Sequence, residues 1–112
     1  MIVDDHASFR QILREFLPPE TARVLECQDG AEAVQAYPAE HPDCVLMDLA
    51  MPVMDGLQAT AAILQHDPTA RILIVSNHDD ETTRRSIMET GASGFLSKSQ
   101  LSDLPTLLDR LR

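Results

Sequence analysis

Short apolar runs alternate along the chain with segments in which apolar residues recur at helical spacing. Five of these runs predict strands, at residues 1–3, 22–27, 44–47, 71–75 and 94–96. Runs without polar alternation are typical of parallel strands that helices cover on both faces. The clearest helical stripe follows the first run and consists of Phe9, Ile12, Leu13, Phe16 and Leu17. The pattern therefore predicts an α/β fold in which a doubly wound, five-stranded parallel sheet carries helices on both faces.

Prolines and capping residues set the expected helix ends. The second helix is predicted at residues 31–37 and is expected to close at Pro38, because proline cannot continue the helical hydrogen-bond ladder. Asp55 is expected to cap the third helix. Ser102 is the expected N-cap of the last helix, because Pro105 is tolerated only in a helix's first turn.

Length and charge limit the classes of function. With 112 residues, we expect a single domain spanning residues 1–112. The net charge of −9 argues against direct contact with nucleic acid or an anionic membrane. No apolar run approaches the ~20 residues of a membrane span. Cys27 and Cys44 lack metal or redox spacing, so we expect reduced core thiols in a cytoplasmic protein.

Polar residues stand at the carboxyl ends of four predicted strands. Asp4 and Asp5 follow the first strand, and the other three positions are Asp48, Ser76 and Lys98. Because the carboxyl ends of parallel strands meet at one edge of a sheet, we expect these side chains to lie close together. Mg²⁺, with Mn²⁺ as the alternative, would relieve the repulsion between the carboxylates. Lysine and hydroxyl groups bind phosphoryl oxygens, so the set is suited to phosphorylation of a carboxylate.

Four motifs, in matching order and spacing, resemble the receiver domain of two-component response regulators. They are IVDDH (2–6), LMDLAMPVMDG (46–56), IVS (74–76) and GASGFLSK (91–98). The resemblance implies the flavodoxin-like receiver fold with strand order 2-1-3-4-5. The opening motif and the FLSKS run are most similar to receivers joined to LuxR-type helix-turn-helix transcription domains. Only three residues precede Asp4, so we expect a first strand that is short or cut off.

The resemblance assigns Asp48 as the phosphoacceptor. It implies that Asp48 takes a phosphoryl group from a sensor histidine kinase or a phosphotransfer protein. Asp5 and Asp48 would hold Mg²⁺ through their side chains, Asp4 would do so in part through water, and Ala50 would contribute its backbone carbonyl. The implied role is that of a signalling phosphoacceptor that assists its own phosphorylation and dephosphorylation without being a turnover enzyme.

The resemblance also implies a conformational switch. Ser76 and Lys98 would contact the phosphoryl group, and Ser76 and Phe95 would move together on phosphorylation. The expected output is transcription regulation, through a DNA-binding domain that is not in this chain. A homodimer that forms on phosphorylation is compatible with the resemblance.

Other readings of the same residues stay open. Asp4 and Asp5 could form a solvated strand end, and Phe95 could simply pack on an edge strand. A metal-dependent phosphohydrolase is disfavoured, because Ala50 stands where that class has a second acid. A phosphorylation-independent, receiver-like interaction module is the main alternative function. His6, like His41 and His66, is interpreted as a surface residue.

Overall fold

The computed structural model describes residues 1–111 and contains one five-stranded sheet with five α-helices. The strands are β1 (Ile2–Val3), β2 (Glu26–Cys27), β3 (Val45–Asp48), β4 (Ile72–Ser76) and β5 (Gly94–Ser97). The helices are α1 (Ala7–Glu15), α2 (Gly30–Glu40), α3 (Gly56–His66), α4 (Glu81–Glu89) and α5 (Leu104–Arg110), and a 3₁₀ helix spans Lys98–Asp103. Among the described residues, no helix is both long and apolar enough to span a membrane.

The sheet has the order β2-β1-β3-β4-β5, and every neighbouring pair is parallel. This confirms the predicted flavodoxin-like receiver fold. Parallel neighbours require a crossover between strands, and the intervening helices provide it. All strands therefore direct their carboxyl ends to one edge, where the polar strand-end residues lie.

Two apolar clusters, one on each face of the sheet, form the core. Val45 and Met47 of β3 pack into the cluster that includes residues of α2, α3 and α4. Leu46, between them, packs into the other cluster with Leu13 of α1 and Leu104 of α5. Successive strand residues face opposite sides, so an uninterrupted apolar run is buried on both faces. Full burial of each large side chain contributes about 1.5–3 kcal/mol.

The second strand is shorter than predicted. Its ladder contains Glu26 and Cys27, whereas the apolar run begins at residue 22. The reason is the partner strand, because β1 offers only Ile2 and Val3 for pairing. Strand assignment depends on a hydrogen-bonded neighbour, which an apolar run does not reveal.

The second helix does not close at Pro38. It continues through Pro38 to Glu40 and ends at His41, which adopts the left-handed conformation and donates its backbone N–H to the Tyr37 carbonyl at 2.8 Å. The Tyr37 hydroxyl also donates to Asp67 at 2.8 Å. These contacts hold the last turn in place, so the helix tolerates the hydrogen bond that proline removes.

The beginnings of α3 and α5 differ in how well they were predicted. Asp55 caps α3 as expected, and it forms a capping box with Gln58. Ser102, however, is not the N-cap of α5, which begins after Asp103 without a side-chain cap. The 3₁₀ helix already brings the chain to Asp103 in a helical conformation, so no extended capping residue precedes α5.

Candidate functional site

Lys98 links the acidic residues at the carboxyl edge of the sheet. Its Nζ lies 3.1 Å from Asp4 Oδ2 and 3.3 Å from Asp48 Oδ1. Asp4 follows β1, Asp48 ends β3 and Lys98 follows β5, so three parallel strands deliver the three groups. Asp4 and Asp48 are only 1% and 7% exposed. The arrangement places one cation between two largely buried carboxylates, so the carboxylates together carry excess negative charge.

Asp48 is held through one carboxylate oxygen. Oδ1 accepts the backbone N–H of Leu49 at 2.9 Å and faces Lys98, whereas no hydrogen bond within residues 1–111 holds Oδ2. Burial raises the pKa of Asp48, and the nearby Asp4 raises it further, while Lys98 opposes both effects. The contacts orient the carboxylate through Oδ1 and leave Oδ2 without a hydrogen bond among the described residues.

The backbone behind Asp48 is packed against the start of α3. A Cβ atom placed on Gly56 would lie 2.1 Å from the Asp48 carbonyl oxygen, well inside contact distance. Gly56 also donates its backbone N–H to the Leu49 carbonyl at 2.8 Å. Only glycine allows this approach, which fixes the loop that follows β3.

Asp4, Asp5 and His6 form a group whose potential metal-ligand atoms all lie within 4.8 Å of one another. His6 Nδ1 is 3.3 Å from Asp4 Oδ1 and 3.1 Å from Asp5 Oδ1. Asp5 Oδ1 is buried, yet it has no hydrogen-bond partner among the described residues. A buried carboxylate oxygen without a donor is costly, and a cation would satisfy it. The donor set therefore fits a divalent metal ion.

Not all residues predicted to bind the metal lie within this group. Asp48 is outside it and is connected to Asp4 through Lys98. Ala50 lies in the loop after β3, and its carbonyl accepts no backbone hydrogen bond within residues 1–111. His6, in contrast, was interpreted as a surface residue. Its ring is indeed exposed, but it faces both carboxylates. The sequence signal that could have found it is its position directly after the aspartate pair.

Two residues of α1 also contact the site, and sequence reasoning missed both of them. Arg10 donates to the Asp4 carbonyl at 2.7 Å and to Glu26 at 2.8 Å. The Lys98 ammonium lies 4.2 Å from the centroid of the Phe9 ring, a cation–π contact. Arg10 and Phe9 thus restrain the Asp4 backbone and the Lys98 side chain, respectively.

Ser76 lies farther along the same edge, whereas Phe95 lies within β5, where it pairs with Ile74. Ser76 ends β4, is buried, and accepts the backbone N–H of His78 on its hydroxyl at 3.0 Å. No hydrogen bond in the described part of the chain joins this hydroxyl to Asp48 or Lys98. Phe95 is half-buried on β5, and the Arg84 guanidinium lies 5.1 Å from its ring centroid.

Comparison with known proteins identifies the family. The model of the response regulator receiver domain matches residues 1–112. The chain belongs to this family. Receiver domains interact with histidine kinases and phosphotransfer proteins, and they generally bind Mg²⁺ at an acidic pocket.

Receiver domains of several output types are similar to this chain. The transcriptional regulatory protein DegU of Brevibacillus brevis is 38% identical over 92% of this chain and 44% of its own length. The chemotaxis protein CheY of Halobacterium salinarum is 36% identical over 88% of this chain and 82% of its own length. The chain thus spans less than half of DegU and most of CheY.

Solved receiver structures agree closely with this fold. A LuxR-family response regulator from Aurantimonas sp. SI85-9A1 has a TM-score of 0.92 at 36% identity, covering 99% of this chain and 81% of its own. The receiver domain of NarL from Mycobacterium tuberculosis has a TM-score of 0.85 at 33% identity, covering 98% and 92%. The LuxR-type resemblance expected from the motifs is therefore confirmed among structural neighbours.

Proposed function

We propose that this receiver domain accepts a phosphoryl group on Asp48 from a sensor histidine kinase or a phosphotransfer protein. The observation that carries the proposal is the Lys98 ammonium, which lies between Asp4 and Asp48 at the carboxyl edge of the sheet. A lysine held between two buried carboxylates is placed to meet a phosphoryl group that arrives on one of them.

The reaction uses the free oxygen of Asp48. Oδ2 attacks the phosphorus of the phosphohistidine, the phosphorus–nitrogen bond breaks, and an acyl phosphate forms on Asp48 while the histidine leaves with its electron pair. Lys98 then exchanges a carboxylate contact for a phosphoryl oxygen, and the Ser76 hydroxyl donates to another. Leu49 holds Oδ1 through its backbone N–H and so orients the nucleophile.

A divalent cation belongs to the same proposal. Asp4, Asp5 and Asp48 would hold Mg²⁺, or Mn²⁺ in its place, with the Ala50 carbonyl as a further ligand. The ion would supply positive charge beside the phosphoryl oxygens. Support comes from the unsatisfied Asp5 Oδ1. It also comes from a structural neighbour at 27% identity and TM-score 0.90, a CheX–CheY complex of Borrelia burgdorferi that contains BeF₃ and Mg²⁺.

Phosphorylation would act as a switch by shifting populations. The contacts of Ser76 and Lys98 to the phosphoryl group exist only in the modified state, so they favour the conformer that makes them. Phe95 would move with Ser76. We propose transcription regulation as the output, since DegU is a transcriptional regulatory protein, with a DNA-binding domain outside this chain. A cytoplasmic location, a homodimer formed on phosphorylation and the absence of turnover catalysis belong to the same proposal.

Intact-mass measurement with acetyl phosphate and Mg²⁺ tests the proposal. We expect a gain of one phosphoryl group (~80 Da) in the wild type and in Asp103→Asn, an exposed aspartate at the start of α5, and no gain in Asp48→Asn. Size-exclusion chromatography of the modified protein then tests for a dimer. If the wild type binds Mg²⁺ but gains no mass, the phosphorylation-independent interaction module becomes the better assignment. Labelling that persists in Asp48→Asn would refute the acceptor residue.

A further inference from the structure

The imidazole of His6 faces the two carboxylates that begin the acidic pocket. We infer that His6 supplies a nitrogen ligand to the cation of this pocket and makes the pocket prefer Mn²⁺ and other transition-metal ions over Mg²⁺. The inference rests on the cation site of the proposed function, and it concerns which metal that site selects.

The distances between the potential ligand atoms suit a shared metal ion. His6 Nδ1 lies 3.3 Å from Asp4 Oδ1 and 3.1 Å from Asp5 Oδ1. An octahedral ion with ligand bonds of about 2.1–2.2 Å separates adjacent ligands by about 3.0–3.1 Å, and a tetrahedral ion with bonds of about 2.0 Å separates them by about 3.3 Å. The two distances from the imidazole to the carboxylates are therefore already close to the edge lengths of a coordination polyhedron.

These short contacts are not explained by hydrogen bonding alone. Asp5 Oδ1 is buried and has no hydrogen-bond partner in the described part of the chain, although His6 Nδ1 is only 3.1 Å away. The ring nitrogen is therefore close to this oxygen without the alignment that a hydrogen bond requires. A cation bound to both atoms would give the oxygen and the nitrogen a partner.

The backbone places the imidazole beside the pocket. His6 is the residue before α1 and has an extended conformation, and its N–H donates to Asp4 Oδ1 at 2.8 Å. This bond ties the start of α1 to the carboxylate that Lys98 also contacts. The His6 side chain is 67% exposed, so replacing it removes little buried surface.

The chemistry of the ligand set decides which metal benefits. Mg²⁺ prefers oxygen ligands and retains its water, so an imidazole adds little to its binding. Imidazole suits transition metals, whose affinity for a given site rises in the order Mn²⁺ < Fe²⁺ < Co²⁺ < Ni²⁺ < Cu²⁺. A pocket of two carboxylates and one imidazole therefore favours these ions beyond what carboxylates alone provide.

Metal titrations of the wild type, His6→Asn and His66→Asn test the inference. His66 ends α3 and is an exposed histidine outside the Asp4, Asp5 and His6 group, which makes it the matched control. Calorimetry at pH 8 with MgCl₂ and with MnCl₂ gives the two affinities for each protein. We expect His6→Asn to weaken Mn²⁺ binding at least about tenfold and to change Mg²⁺ binding by less than about threefold. We expect His66→Asn to change neither affinity.

Pulsed electron paramagnetic resonance of the Mn²⁺-loaded protein gives an independent readout. A directly bound imidazole produces nitrogen modulation of the Mn²⁺ echo, and we expect this signal in the wild type and in His66→Asn but not in His6→Asn. This inference alone would be overturned by the following result. Mg²⁺ binds and Asp48 is phosphorylated normally, but the Mn²⁺ echo of the wild type lacks nitrogen modulation, and His6→Asn leaves the ratio of Mn²⁺ affinity to Mg²⁺ affinity unchanged. No binding of either cation would overturn the cation site of the proposed function as well.

Discussion

Val53 occupies a strained turn in the loop between β3 and α3. Its φ is +68°, and the N–H of Met54 donates to the Pro52 carbonyl at 2.7 Å. A hydrogen bond between residues two apart around a positive φ is the mark of a γ-turn of the strained type. Valine is poorly suited to this conformation, because its Cβ carries two heavy substituents. Replacing Val53 with glycine should therefore stabilise the fold.

The size of the effect follows from two opposing contributions. A positive φ of this kind costs a residue that carries a Cβ about 1–2 kcal/mol, and glycine removes this cost. Glycine also gives the unfolded chain more freedom, which offsets about 0.5–1 kcal/mol. The Val53 side chain is 84% exposed, so its removal loses little burial. We expect a net stabilisation of about 0.5–1 kcal/mol, or a rise in Tm of about 2–6 °C.

Urea and thermal unfolding of Val53→Gly, compared with Ala22→Gly, measure this effect. Ala22 lies in an exposed irregular segment and is not among the residues with positive φ, so glycine there should destabilise by about 0.5–1 kcal/mol. If Val53→Gly lowers the free energy of unfolding as much as Ala22→Gly does, or does not raise it above that of the wild type, the turn stores no strain.

Three further changes probe the fold and the site. Gly56→Ala should lower the free energy of unfolding by about 1–3 kcal/mol or more in urea, since its Cβ would lie 2.1 Å from the Asp48 carbonyl; wild-type stability would contradict the close packing. Asp48→Asn should be more stable than the wild type at pH 7 in EDTA, because burial raises the pKa of Asp48 and its charged form therefore opposes folding above the unfolded pKa. The difference in the free energy of unfolding should shrink as the pH falls towards 4, and a difference that stays constant with pH would argue against a charge effect. Burial and the hydrogen bond to Asp67 raise the pKa of Tyr37 to about 12, so its contribution to stability is complete below pH 10 and is lost between about pH 10 and 12. Tyr37→Phe should abolish this part of the alkaline loss of stability, measured as Tm against pH. Identical pH profiles of Tm in the variant and the wild type would refute this prediction.

The meeting of Asp4, Asp48 and Lys98 could be predicted because it depends only on topology. Each stands at the carboxyl end of a parallel strand, and such ends share one edge of the sheet. Phe9 and Arg10 could not be predicted in the same way. Their contacts with Lys98 and with the Asp4 carbonyl depend on how α1 lies across the sheet, and helical periodicity does not specify that.

His6 shows the same limit at the level of a single side chain. The sequence places it beside two aspartates, but neighbours in sequence after a strand can face different directions. The direction of its ring depends on the hydrogen bond from its own N–H to Asp4 and on the start of α1. Its relation to the pocket therefore required the folded backbone.

Local periodicity and chain order are enough to predict the alternation of strands and helices, the parallel sheet and the edge that carries the strand-end carboxylates. The ends of α2 and β2, in contrast, depend on the folded structure. Tyr37 stabilises the turn beyond Pro38 through Asp67, thirty residues away, and β2 extends only as far as β1 can pair with it. Contacts between residues distant in sequence control these boundaries, and local propensity cannot anticipate them.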